Sequence, residues 1–261
     1  MRKFVCALLL TVLPGCGGGQ QIGQVTTAPS SAPASIPPPL SGLAFNLDIR
    51  LGPGITQSPA QAGNVISGTV ITYKFTGADP LSKIRVLMDG NAVPASGQFT
   101  MTSAHRFDSV VDRTPGSHAP AFSGETADGR TIKLSDYAGK YVFVDFSEVT
   151  CPGSVNEASY LRAHSDAWKV LGMEIVTVLV FNANNAPAAA GDLQAWQNTY
   201  GLPFPVISDS GHATLIYNTD AILSQTDFPS GYIIDPAGVI RYRFSGFDGP
   251  TIDAAVAALF P

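Results

Sequence analysis

The sequence predicts an α/β domain, with a central mixed sheet flanked by helices, preceded by a small all-β domain. Three observations carry this reading. From Pro120 onward, short apolar runs alternate with longer segments of helical period, which requires parallel strands joined by crossovers. From residue 41 to about 113, apolar and polar residues alternate in short runs broken by Gly, Asp and Asn. Ahead of both lies a stretch rich in Gly, Ser, Thr, Ala and Pro, almost without charge, which cannot bury a core.

The amino terminus reads as a targeting segment. Arg2 and Lys3 precede the apolar run "FVCALLLTVL" and then "PGC". A positive start, a short apolar core and small residues at the end describe a signal peptide over residues 1–15. The ending "LPGC", Leu13 to Cys16, resembles the lipobox of bacterial lipoproteins. That resemblance implies cleavage before Cys16 and lipidation of Cys16. Gly17, rather than Asp, after the cysteine fits the outer-membrane version of the signal. The expectation is an exported, lipid-anchored protein of the cell envelope, on a periplasmic or surface face. Several acyl chains on one residue anchor stably, whereas one chain binds only marginally. Residues 16–40 then form a tether, stiffer toward Pro37–Pro39.

Cysteine usage sharpens the picture. The chain has 3 cysteines. Cys6 leaves with the signal and Cys16 is blocked by lipid, so Cys151 is the free thiol of the mature form. In an oxidising exported compartment such a thiol is either buried and inert or reactive and used. Composition excludes other classes. Charged residues make up 13% and the net charge is −5 with no long run of one sign, which argues against nucleic acid. No apolar run is long enough to span a bilayer as a helix.

The β region, residues 41–113, is expected as an antiparallel sandwich or meander. Its strands are "FNLDIRL", "SGTVITYKF", "KIRVLM" and "GQFTMTS", with "DGNAV" as a turn. The piece "IRVLMDGNAV" is similar to a hairpin of bacterial Ig-like domains. His105 and Asp108 read as solvated turn residues, and the region as a spacer or docking module. "VDRTPGSHAPAF", Val110 to Phe122, is the boundary, and the second domain spans residues 119–261.

In that second domain "TIKLSDY" is a short strand and turn, "KYVFVDFS" an apolar strand and "SVNEASYLRAHSDAWKVLG" a helix. "EIVTVLVF" is a buried strand, "AGDLQAWQNTY" a helix, "FPVISD" a strand and "GHATLIYNTD" a short helix. "SGYIID" and "GVIRYRF" form a hairpin, and "TIDAAVAALF" closes with a helix. Trp168 and Trp196 lie on helices among apolar neighbours and read as core.

This order, with three fixed points, resembles the thioredoxin fold in its TlpA/AhpC-TSA, or redoxin, branch. The resemblance covers about residues 119–261. The first point is "APAFSGETADGRTIKLSDYAGKYVFVDF", with its Pro-x-Phe, DG turn and "LSDYAGK". The second is "VDFSEVTCPGS", similar to the thioredoxin pattern VDFWAxWCxxC. Cys151 then matches the nucleophilic cysteine and Asp145 the buried aspartate. Ser147 and Thr150 take the two tryptophan positions, and Ser154 takes the place of the second cysteine. The third is "TDFPSGYIIDPAGVIRYRFSG", Thr226 to Gly246, in which Pro229 matches the family's cis-proline. The resemblance implies that the backbone of Phe228 sits beside Cys151, ready to pair with an incoming strand. It also implies that Asp145 is the base for the resolving step.

The chemistry depends on one thiol, Cys151, expected to be solvent-reachable and ionisable beside Pro229, at a helix start that Pro152 opens. Free amides and the helix dipole favour an anion there, and a thiolate is the reactive form. Thr150 and Ser154 are expected to donate hydrogen bonds to the sulfur, while Asp145 and Glu148 oppose ionisation. Ser154 cannot resolve a mixed disulfide, so an external thiol must. The favoured reading is a single-cysteine thiol-disulfide oxidoreductase whose partners are protein disulfides or small thiols, with an external thiol reductant. A one-cysteine peroxidase of the AhpC/TSA type is the first alternative. However, Glu148 stands where peroxiredoxins carry Thr, and Arg241 and Arg243 lie further along the hairpin. A degenerate redoxin that binds a polypeptide without turnover is the second. No cofactor and no metal is expected: His105, His118, His164 and His212 are scattered and lack ligand spacing. Phe228 and Tyr232 flank Pro229, and either one lines a groove or packs in the core.

Overall fold

The computed structural model describes residues 42–59, 62–211, 213–218 and 228–261. The expected signal peptide, Cys16 and the tether over 16–40 lie outside the described residues, as do Thr226 and Asp227.

Among the described residues, 44–111 hold eight strands: β1 (Ala44–Leu51), β2 (Ile55–Ser58), β3 (Gly63–Ile66), β4 (Val70–Gly77), β5 (Ile84–Met88), β6 (Asn91–Val93), β7 (Ser96–Thr100) and β8 (His105–Val111). They form one sheet of order β3-β1-β8-β5-β6 and another of order β2-β4-β7. β4 shows why: Ile71, Tyr73 and Phe75 are buried, and the alternate residues Val70, Thr72, Lys74 and Thr76 are exposed. Those three meet Leu47, Val86 and Phe107 of the first sheet in one apolar cluster.

Two expectations for this region are corrected. The strands are not all antiparallel, because β8 pairs parallel with β1. The chain passes between the two sheets and returns to insert β8 between β1 and β5, so the last strand runs with the first. His105 and Asp108 are not on a turn. They belong to β8, and Asp108 is buried at 2% exposure with the Arg106 guanidinium donating to it at 2.8 Å.

The second region follows the predicted order. A hairpin of β9 (Ser123–Glu125) and β10 (Thr131–Lys133) leads through a 3-10 turn (Leu134–Tyr137) into β11 (Tyr141–Glu148). Then come α1 (Pro152–Val170), β12 (Met173–Phe181), α2 (Ala190–Tyr200), β13 (Val206–Ser208), α3 (Ala213–Asn218), β14 (Ser230–Ile234), β15 (Ile240–Ser245) and α4 (Gly249–Leu259). The sheet order is β13-β12-β11-β14-β15, with β11 to β13 parallel and β14 and β15 antiparallel. One face carries α1, α2 and α4 through Leu161, Trp168, Trp196 and Ile252. The other buries Val142, Val144 and Phe146 with Tyr217 of α3. Trp168 and Trp196 are core, at 3% and 4% exposure.

The boundary segment is itself tied down. Gly116 N–H donates to Ile240 O at 2.8 Å, Ile240 N–H to Ser117 O at 2.9 Å, and Ala119 N–H to Gly238 O at 2.8 Å. Arg113 and Ser117 are buried. The segment thus docks on β15 and the turn before it.

Candidate active site

The site is built where β11 ends and α1 begins. Cys151 is the N-cap of α1 and Pro152 occupies its first turn, where a missing amide hydrogen costs nothing. The peptide bond Phe228–Pro229 is cis. Its carbonyl, Phe228 O, accepts a hydrogen bond from Cys151 Sγ at 3.3 Å. The Pro229 ring lies on the first turn of α1. A Cβ added at Gly153 would stand 2.7 Å from Pro229 Cδ and 3.6 Å from Cys151 Sγ, so only glycine fits. Cys151, Phe228 and Pro229 are therefore brought together, as the sequence suggests.

Three details differ from expectation. The thiol is not solvent-reachable: Cys151 is 1% exposed, packed with Phe146 and Phe228. Phe228 itself is 3% exposed and sets its ring edge-on against Phe181, with centroids 6.0 Å apart. The sulfur is turned toward Phe228 rather than capping the helix amides. Nor do the two flanking hydroxyls bond to it. Thr150 is exposed and its hydroxyl points to Glu148 Oε1 at 3.4 Å. Ser154 is fully buried and its Oγ accepts the Glu148 N–H at 3.3 Å, closing the β11–α1 corner.

Asp145 lies on the α1 face of β11, fully buried. Ser147 Oγ, two residues along the same face, donates to Asp145 Oδ1 at 2.8 Å. Thr177, paired with Asp145 in the β11–β12 register, donates to Oδ2 at 2.8 Å. Burial pushes the Asp145 carboxyl up, and these two hydrogen bonds oppose that only in part.

A second buried carboxyl completes the cluster. Glu157 of α1 is 1% exposed, and its Oε1 has no hydrogen-bond partner among the described residues. Burial pushes it well above the ordinary glutamate range, and the neighbouring charges of Asp145 and then Cys151 push it further. Glu157, Ser147 and Thr177 were not singled out as site residues from sequence. Helical period supplies the signal for Glu157, because it stands three residues after Ser154 on the same face of α1. Glu148, half-buried, is also raised by burial, with the Thr150 hydroxyl opposing.

Tyr232 is core rather than groove. It is fully buried and donates its hydroxyl to Tyr217 O at 2.6 Å. Among the described residues, no group of three or more His, Cys, Asp or Glu is placed to hold a metal ion, and no helix is long and apolar enough to cross a membrane.

Residues 115–243 match the model of the AhpC/TSA family. The thiol-disulfide oxidoreductase ResA of Bacillus subtilis (strain 168) is 32% identical over 125 residues, 48% of this chain and 64% of that protein. A protein of Mycobacterium tuberculosis (strain ATCC 25618 / H37Rv) named as a peroxiredoxin is 31% identical over 103 residues, 39% of this chain and 61% of that one. Both matches thus span less than two thirds of the relative's length. Among solved structures, a thiol:disulfide interchange protein of Chlorobium tepidum TLS aligns with a TM-score of 0.47 and 22% identity, covering 58% of this chain and 100% of that one. Over residues 115–243, which carry the Cys151 thiol at the start of α1 and the buried carboxyls Asp145 and Glu157, this chain is similar to the thioredoxin-like redoxins of the AhpC/TSA family.

Proposed function

We propose that this chain is an exported thiol-disulfide oxidoreductase acting through Cys151 alone, held at a membrane by Cys16 and a tether. One observation supports this most: Cys151 Sγ sits at the N-cap of α1 and 3.3 Å from Phe228 O, in the cis-proline bend just before β14 where, in this reading, a substrate backbone is received. The Cys151 thiolate attacks a disulfide R–S–S–R′, forms Cys151–S–S–R and releases R′–S⁻. An external thiolate then attacks the R sulfur, restores the Cys151 thiolate and leaves with R as a new disulfide. Ser154, lacking a second thiol and tied to Glu148 N–H, takes no part in that exchange.

Reaction requires Phe228 to swing away from the buried sulfur. Displacing that ring exposes both the thiol and the carbonyl it occupies. Burial raises both Asp145 and Glu157, and in this reading the pair exchanges protons with Cys151 as thiol and thiolate interchange. The β strands over residues 41–113 form a separate domain in this reading, acting as spacer or docking module between tether and redoxin.

The burial of Cys151 favours one second reading, a polypeptide-binding redoxin without turnover. Mass spectrometry of the native protein after oxidised glutathione separates the two. A glutathionyl adduct on Cys151, removed by added thiol, supports exchange. An adduct that forms only in denaturant supports binding. A parallel arm with hydrogen peroxide tests the peroxidase alternative through formation of sulfenic acid.

A further inference from the structure

A second nucleophilic constellation lies in the β region, away from Cys151. The β5–β6 hairpin turns at Asp89 and Gly90, whose φ values of 52° and 81° are the left-handed pair that such two-residue turns need. Asp89 is one of the few non-glycine residue types that tolerate this. The turn is docked on β8: Asp89 N–H donates to Arg106 O at 2.9 Å, and Arg106 N–H donates back to Asp89 Oδ1 at 2.8 Å. The other carboxylate oxygen, Oδ2, lies 2.6 Å from His105 Nδ1. On the far side of the ring, His105 Nε2 lies 3.3 Å from Ser103 Oγ. Phe99 sets its ring edge-on to the imidazole, with centroids 5.2 Å apart at 82°, and restricts its plane.

These contacts fix the ring's protons. A carboxylate can only accept, so Nδ1 carries the hydrogen shared with Asp89. In the neutral ring Nε2 is then the acceptor, and the Ser103 hydroxyl donates to it. The order carboxylate, imidazole, hydroxyl is that of an activated serine, with a base beside the nucleophile and a third group orienting the base. The Nε2–Oγ separation is loose, as such bonds often are before substrate binds. Ser103 is exposed, whereas the His105 side chain is only 15% exposed. The hydroxyl faces solvent and its base is sheltered. Asp89 is held below the usual carboxylate range; slight burial acts against this, and the His105 and Arg106 hydrogen bonds outweigh it.

We infer that Ser103 is a nucleophile for small carboxylic esters reaching it from solvent, with His105 as its base and Asp89 as the positioning residue. In the forward half, Ser103 Oγ bonds the acyl carbon and gives its proton to His105 Nε2. The bond from that carbon to the ester oxygen breaks, and the leaving alkoxide takes the proton from the imidazolium. Water then attacks the acyl carbon, its proton passing to Nε2. The bond from acyl carbon to Ser103 Oγ breaks, the serine regains its proton, and a carboxylic acid is released. Water is the only co-reactant.

The test uses the full chain, a fluorophosphonate probe and p-nitrophenyl acetate. Peptide mapping should place the phosphonyl group on Ser103 ahead of other exposed serines, with loss of the adduct in Ser103→Ala and at least a tenfold slower labelling in His105→Gln. Asp89→Asn should lower kcat for the acetate about tenfold while leaving KM within about twofold, a split that a merely structural role would not give. Ser103 is exposed, so Ser103→Ala is expected to melt with the unsubstituted protein, which keeps that variant readable. Labelling spread evenly over exposed serines, or equal labelling in His105→Gln, would overturn the inference.

Discussion

Cys151 Sγ donates a hydrogen bond to Phe228 O at 3.3 Å, so the thiol is held by the carbonyl of the cis Phe228–Pro229 bond. Phe228 belongs to the same apolar cluster as Cys151, and its ring leans on Phe181. Phe228→Ala removes that ring. Loss of a buried ring should cost about 3–5 kcal/mol of stability. It should also raise the rate of Cys151 with Ellman's reagent by about tenfold or more, since a buried group reacts only through local opening. Rates measured well below the urea midpoint of each protein check this. An unchanged rate would mean that Phe228 is not the gate.

Ser154 lies three residues after Cys151, on the first turn of the same helix. Ser154→Cys should therefore create a dithiol that closes on oxidation, seen as loss of two hydrogens by intact-mass measurement. Turnover of a model disulfide should then no longer need a separate resolving thiol. The exchange loses the Ser154 Oγ bond to Glu148 N–H, a neutral contact worth about 1 kcal/mol. The variant is thus expected to fold. A dithiol that stays reduced under oxidised glutathione would show that the corner between β11 and α1 cannot bring the two sulfurs together.

The fold was legible because its signals are local and repeated. β11 and β12 are nearly continuous apolar runs, as strands covered on both faces must be. Pro152 and Pro229 mark the start of α1 and the approach to β14. Asp145 and Cys151 were singled out only through the resemblance of "VDFSEVTCPGS" to the thioredoxin pattern. What the sequence concealed depends on contacts between distant segments. Cys151 is buried in an apolar cluster that includes Phe228, whose carbonyl it reaches across 77 positions of sequence. Thr177 reaches Asp145 only through the β11–β12 register. The parallel β1–β8 pair joins the two ends of the β region, and no short window contains it. His105 resembled a turn residue because its strand follows directly on the bend that carries Ser103.

The Asp145–Glu157 pair sets a pH dependence of stability. Burial raises both carboxyls in the folded protein above their unfolded values. Between the unfolded and the folded pKa the native state binds more protons, so stability falls as pH rises through that window. The protein should melt at a higher temperature near pH 5 than near pH 8. Asp145→Asn and Glu157→Gln should each flatten that slope and stabilise the fold by about 1–3 kcal/mol at pH 8, because they remove a buried charge without changing shape. Calorimetric melting across pH 4.5–8.5 (a range of about four units, chosen to bracket a raised carboxylate) reads this directly. A slope of opposite sign would mean that the pair is ionised at little cost in the native state.

Gly153 separates the helix start from Pro229 by a single missing methyl group. An alanine Cβ there would lie 2.7 Å from Pro229 Cδ, closer than such atoms approach, so either α1 or the Phe228–Pro229 segment must move. That segment holds the carbonyl bonded to Cys151 Sγ, which makes the two effects inseparable in structure but separable in measurement. Gly153→Ala should lower stability by about 1–3 kcal/mol, the usual cost of overpacking a tight contact. It should also change the rate of Cys151 with Ellman's reagent by more than that global loss explains, once rates are compared at equal fraction folded. A variant that loses stability but keeps the thiol rate of the original protein would show that the helix shifts as a unit and carries the sulfur–carbonyl contact with it.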